Sequence, residues 1–326
     1  MAQLRAALRI FPLLIVTALH GCDNVEWGGA DLDIVPPPPP LNAIPVAPDE
    51  QVFAEYGLPT GSVLFKVVQL EQGAQLIPVA EVSGDSLRTL RRPAAVAPDA
   101  FESKFREAVI PVGSQFELFR RGANVGTFVV HGYGEVTPCG LPTATGNATV
   151  VAAATQVPQF LAFRQGLAPR VIGEYSPPVI DGSINTYASI VAERLILQAG
   201  LPRPRSWVGA QRDLQALEIA QGANPEMAAT YLVADSLAAG PAGDGGYSVF
   251  YIADYESRRG YSPVYQEVRD YSKTGKAAPK LLDYLNWDGR EGDEILIQVF
   301  GEEGSWYEAL GREGGEWVKT WEGGKC

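Results

Sequence analysis

Few residues in this chain have side chains suited to chemistry. Cys22 closes a basic and then apolar leader, and its sulfur is readily alkylated as a thiolate. Ser86 lies in Gly84-Asp85-Ser86-Leu87 and needs a positioned base to become a nucleophile. His131 is the single histidine outside the leader, which removes any zinc site built on several histidines. Asp288 and Glu294 are close enough in sequence for paired acid–base work on a glycan, which demands a fixed separation. Cys139 and Cys326 are the two cysteines beyond Cys22, and in an oxidising compartment they can pair and close a long loop.

The surroundings of Cys22 set the location. Arg5 and Arg9 give a positive start, and Ile10 to Leu19 follow as an apolar stretch. That stretch is too short for a helix to cross a hydrocarbon layer about 30 Å thick. Leu19-His20-Gly21-Cys22 then resembles the lipobox of bacterial lipoproteins, with Leu at −3, Gly at −1 and Cys at +1. The resemblance implies that residues 1–21 are a cleaved signal peptide. It also implies that Cys22 receives a diacylglycerol thioether and an acyl chain such as palmitate. Two or more such chains hold a domain on a bilayer almost permanently, at about 0.8 kcal/mol per buried CH₂. Asp23 at +2 is similar to an inner-membrane retention signal, and the choice of membrane stays open.

Residues 22–60 read as an acidic, proline-rich tether, with Pro36 to Pro40 consecutive and Pro45, Pro48 and Pro59 beyond. Runs of proline fix φ and remove donors, which gives polyproline II. At about 3.1 Å per residue this spacer reaches up to ~100 Å. A net charge of −12 argues against nucleic acid and against electrostatic docking on anionic lipid. With 46% hydrophobic and 10% aromatic residues, the chain has a globular composition.

The expected fold is mainly β, of the α+β class. Residues 61–170 read as a small antiparallel β domain with one helix. Ser62–Leu70 and Leu76–Val82 are strand-like about a Glu71–Ala74 turn, and Phe101 and Phe105 stripe a helix from Asp99 to Val109. Gln115–Phe119 and Val125–His131 form a hairpin about Arg121-Gly122-Ala123-Asn124, and Ala148–Ala154 and Phe160–Phe163 add strands. Residues 171–204 read as a linker with a helix over Asp181–Ala199, stopped by Gly200.

Residues 205–326 look internally repeated, with Glu226 superposing on Glu294 at an offset of 68. Each copy is expected to supply short antiparallel strands, and two copies are too few to close a propeller. Asn286-Trp287-Asp288-Gly289, running on to Asp293, is similar to the calcium loop of FG-GAP/VCBS-type repeats. The resemblance implies Ca²⁺ held by Asn286, Asp288 and Asp293, with Tyr284 standing where that family has its first aspartate. A metal-free turn is the other reading. The block around Ser86 resembles the nucleophile motif of GDSL/SGNH hydrolases, which use a late Asp-x-x-His. Here no histidine follows His131, and Phe128 replaces the aspartate, so Ser86 reads as a turn residue. Trp287, Trp306, Tyr307, Trp317 and Trp321 suit core packing or a face that stacks on glycan or peptide.

These features predict a lipid-anchored protein of the bacterial envelope, periplasmic or surface-facing. It acts as a non-enzymatic binding or structural module for an envelope protein or a glycan. An envelope hydrolase acting on ester or glycan bonds is the alternative.

Overall fold

A computed structural model of the chain describes residues 50–325 apart from 172, 181, 220–223 and 291. The leader, Cys22, most of the tether and Cys326 lie outside the described residues. No helix among the described residues is long and apolar enough to cross a membrane.

Chain order begins with α1 (Glu50–Tyr56), β1 (Ser62–Gln69), β2 (Ala74–Ser83), β3 (Ser86–Arg88) and α2 (Pro98–Ala108). It continues through β4 (Gln115–Arg120), β5 (Ala123–Tyr133), β6 (Ala144–Val150) and β7 (Gln159–Arg164). All pairings are antiparallel: β1 bonds to β7 and to β2, and the order β1-β7-β4-β5-β6-β2 therefore returns to its start. Six strands thus close a barrel, and β3 extends one wall. A closed barrel this small is filled by its own side chains. Period-two alternation sends Val63, Phe65 and Val67 inward with Phe116, Leu118 and Phe160, while Leu64, Leu161 and Phe163 face out. Phe101 and Phe105 of α2 join the same interior.

Two expectations change here. The strand expected over Ala148–Ala154 is instead β6 from Ala144, and Ala152–Ala154 forms a single 3₁₀ turn. The fold also begins before Gly61, since Phe53, Tyr56 and Leu58 already pack on the barrel core.

After α3 (Gly182–Gln198) and the short α4 (Trp207–Ala210) come two four-stranded meanders. The first comprises β8 (Gln211–Leu217), β9 (Glu226–Val233), β10 (Tyr247–Glu256) and β11 (Gly260–Asp270). The one-turn α5 (Tyr271–Thr274) leads to the second, β12 (Ala278–Leu285), β13 (Glu294–Phe300), β14 (Ser305–Glu313) and β15 (Glu316–Glu322). The expected repeat corresponds to these two sheets: Leu217 pairs with Glu226 as Leu285 pairs with Glu294.

The layers stack through three cores. Helix α3 lays Ile184, Val191 and Leu195 on one face of the first sheet, against Tyr231, Val249 and Tyr251. The opposite face meets the second sheet, where Phe250 and Ile252 pack with Ile295, Ile297 and Trp306. The second sheet's far face sends Leu282, Leu285 and Leu296 against the barrel's outward residues. The described residues from 50 to 325 accordingly pack as one compact unit.

Candidate functional site

The loop between β12 and β13 gathers most of the expected site residues. Asn286 Oδ1 accepts the Gly289 N–H at 2.7 Å, and its amide donates to the Arg290 carbonyl. Asp288 Oδ1 accepts the Arg290 N–H at 2.7 Å, and the Arg290 Nε lies 3.6 Å from Oδ2. Gly289 turns the loop at φ +76°, a conformation that costs any residue with a Cβ. Asp293 accepts a hydrogen bond from the Asn286 N–H, while burial and then the charge of Asp283 hold its carboxyl above the usual range.

Glu294 begins β13, and its Oε2 accepts the Trp287 N–H at 3.0 Å. Burial, then a hydrogen bond with Asp288, pushes its pKa up to about 8 against the opposing pull of that N–H. Glu294 therefore keeps a proton at neutral pH and shares it with Asp288. The first meander repeats the arrangement, with the Ile219 N–H donating to Glu226 Oε2 at 3.2 Å. In each sheet a glutamate thus closes the first hairpin by holding an N–H seven residues back. In the second copy Glu294 also bonds to Asp288.

The described residues of this loop do not fit calcium. A hard dication takes six to eight oxygens. Here the Asn286 and Asp288 oxygens are occupied by the loop's own N–H groups, the Glu294 proton faces Asp288, and the Arg290 guanidinium stands beside it. Among the described residues no group of three or more acid, histidine or cysteine side chains can hold a metal ion.

Ser86 is exposed in the tight turn joining β2 to β3, and its hydroxyl donates to the Ser83 carbonyl at 3.2 Å. Its neighbour Asp85 forms an ion pair with Arg290, tying this turn to the loop. His131 is exposed on β5, and no hydrogen bond among the described residues links it to Ser86. The tryptophans are core residues: Trp287, Trp306 and Trp317 are buried, and Tyr307 and Trp321 pack on the barrel-side core. They form no open stacking face. Cys139 is disulfide-bonded, with its Sγ 3.7 Å from the Lys325 carbonyl oxygen; its expected partner, Cys326, lies outside the described residues.

Sequence reasoning gave the tip of the β4–β5 hairpin no role beyond a turn. Arg121 is buried there at φ +53°. Its N–H donates to Asp283 Oδ1 at 2.8 Å, and its guanidinium donates to the Ala216 carbonyl and lies over the Tyr284 ring. Arg120 donates to the Leu282 carbonyl at 2.6 Å and lies 3.4 Å from Asp283 Oδ2. Asp283 is the one buried acid that both arginines face, which ties the barrel to both meanders.

No family model, no curated protein and no solved structure matches this chain.

Proposed function

We propose that this protein is a lipid-anchored component of the bacterial envelope that works as a non-enzymatic binding or structural module. The observation that carries the reading is Leu19-His20-Gly21-Cys22 at the end of a short apolar stretch, ahead of a proline-rich spacer. The anchor supplies the membrane contact, because a chain of net charge −12 gains nothing electrostatically from anionic lipid. A non-enzymatic role is supported by the state of the groups a hydrolase would use. Ser86 bonds to its own turn with no base hydrogen-bonded to it among the described residues, and the Asp288–Glu294 pair is spent on hairpin closure. Layered, closed β architecture suits a rigid body displayed for an envelope protein or a glycan.

Growth with labelled palmitate tests the anchor. Label is expected on the protein and is expected to vanish in Cys22→Ser, with release from the membrane fraction. An unlabelled chain that sediments like the variant would overturn the reading.

A further inference from the structure

Arg164 ends β7, where the chain leaves the barrel. Its Nη1 donates to the Ala108 carbonyl at 3.1 Å, close to the end of α2. Among the described residues that is the single hydrogen bond its side chain makes, and no carboxylate forms an ion pair with it. A guanidinium carries five N–H donors, so four have no protein partner among the described residues. Burial leaves Arg164 less basic than a free arginine, as expected of a cation that has lost water without gaining an anion.

This guanidinium borders an open cavity of about 140 Å³ at the end of the barrel. Phe53 of α1, Val63 and Phe65 of β1, Val109 beyond α2, and Leu167 supply its apolar wall. An apolar cavity of about 150 Å³ is large enough to hold a benzene ring. The polar groups on the opposite rim are already occupied: the Thr60 and Gly61 N–H groups donate to Glu81 Oε1 at 2.7 and 2.6 Å. Among the described residues Arg164 is therefore the one charged group lining the cavity, and its remaining donors suit two oxygens in one plane.

We propose that this cavity is a binding site for a small monocarboxylate with an apolar body, ring-sized or branched, whose carboxylate pairs with Arg164. The apolar body displaces water from the Phe65 and Val109 walls, and the carboxylate supplies the missing anion. The site is independent of the lipid anchor, so failure of one leaves the other standing.

Titration calorimetry of the full chain with benzoate, benzamide and acetate tests it. Benzoate is expected to bind once per chain with a Kd below about 1 mM. Benzamide, which has the same shape without the charge, and acetate, which has the charge without the body, are each expected at least about tenfold weaker. Arg164→Gln is expected to weaken benzoate by about 10- to 100-fold and benzamide little. Leu167 is 55% exposed, so Leu167→Trp can fill the mouth without disturbing the core. It is expected to abolish benzoate binding at an unchanged unfolding temperature, which carries the test should Arg164→Gln fail to fold. No saturable benzoate binding, equal binding of benzamide, or full binding by Leu167→Trp would each overturn the proposal.

Discussion

Replacing Glu294 with Gln should remove a pH dependence of stability that the wild-type fold carries. The unfolded side chain loses its proton near 4.5, whereas the folded one holds it to about 8. Between those values the native state binds one proton more than the unfolded state. Stability therefore falls as pH rises through this window, by about 1.4 kcal/mol per pH unit. The whole interval amounts to about 4–5 kcal/mol, and partial solvent screening of a side chain that is not fully buried reduces this to about 2–4 kcal/mol. In Glu294→Gln the amide donates permanently to Asp288, and Oε1 still accepts the Trp287 N–H, so the hairpin stays closed. Urea midpoints at pH 5 to 9 give the measurement. The variant should match the wild type near pH 5 and exceed it by about 2–4 kcal/mol at pH 9, with m unchanged. Parallel curves, with a constant difference at every pH, would show that Glu294 does not hold its proton and would refute the argument.

Two further changes probe the joints between layers. Arg120→Ala removes the guanidinium that lies 3.4 Å from the buried carboxylate of Asp283, together with its bond to the Leu282 carbonyl. It should cost about 3–5 kcal/mol in urea unfolding, and a loss under about 1 kcal/mol would mean that the Arg121 N–H and charge alone hold the carboxylate. Cys139→Ser, or reduction of the wild type, should lower stability by about 2–5 kcal/mol through loss of the cross-link; an unfolding temperature indifferent to reductant would contradict that role.

Much of the local structure was legible because local rules decide it. Val63, Phe65 and Val67 alternate as a strand facing a core must, and Phe101 and Phe105 sit one helical turn apart on the buried face of α2. The offset of 68 was legible because the same hairpin closure repeats at Glu226 and Glu294. The start of β6 was not, since Ala144-Thr145-Gly146 lacks strand-like alternation. Its small residues answer to a neighbour: a Cβ on Gly146 would stand 1.9 Å from the Val129 carbonyl oxygen. That constraint appears only when β5 lies alongside. Closure of the barrel was equally hidden, because the β1–β7 register joins residues about a hundred positions apart and no nearby turn fixes it.

The arginine hairpin shows why the site was harder to read than the fold. Arg121-Gly122-Ala123-Asn124 has the composition of an exposed turn, and two adjacent arginines strengthen that reading. Their burial follows from Asp283, 162 positions later, whose own neighbours are all apolar or aromatic. An acid between Leu282 and Tyr284 in a buried strand breaks the pattern of that strand and is unfavourable without a cation. The break was therefore the available signal. A lone carboxylate in an apolar strand requires a cation from elsewhere, and the unassigned arginines in turns are the candidates. The same reasoning, with the signs reversed, draws attention to Arg164. It follows Phe160-Leu161-Ala162-Phe163 at the end of a buried strand, and among the described residues no acid answers it. Where Asp283 finds its counter-charge in Arg120, Arg164 meets none among the described residues, and the proposed carboxylate would supply it.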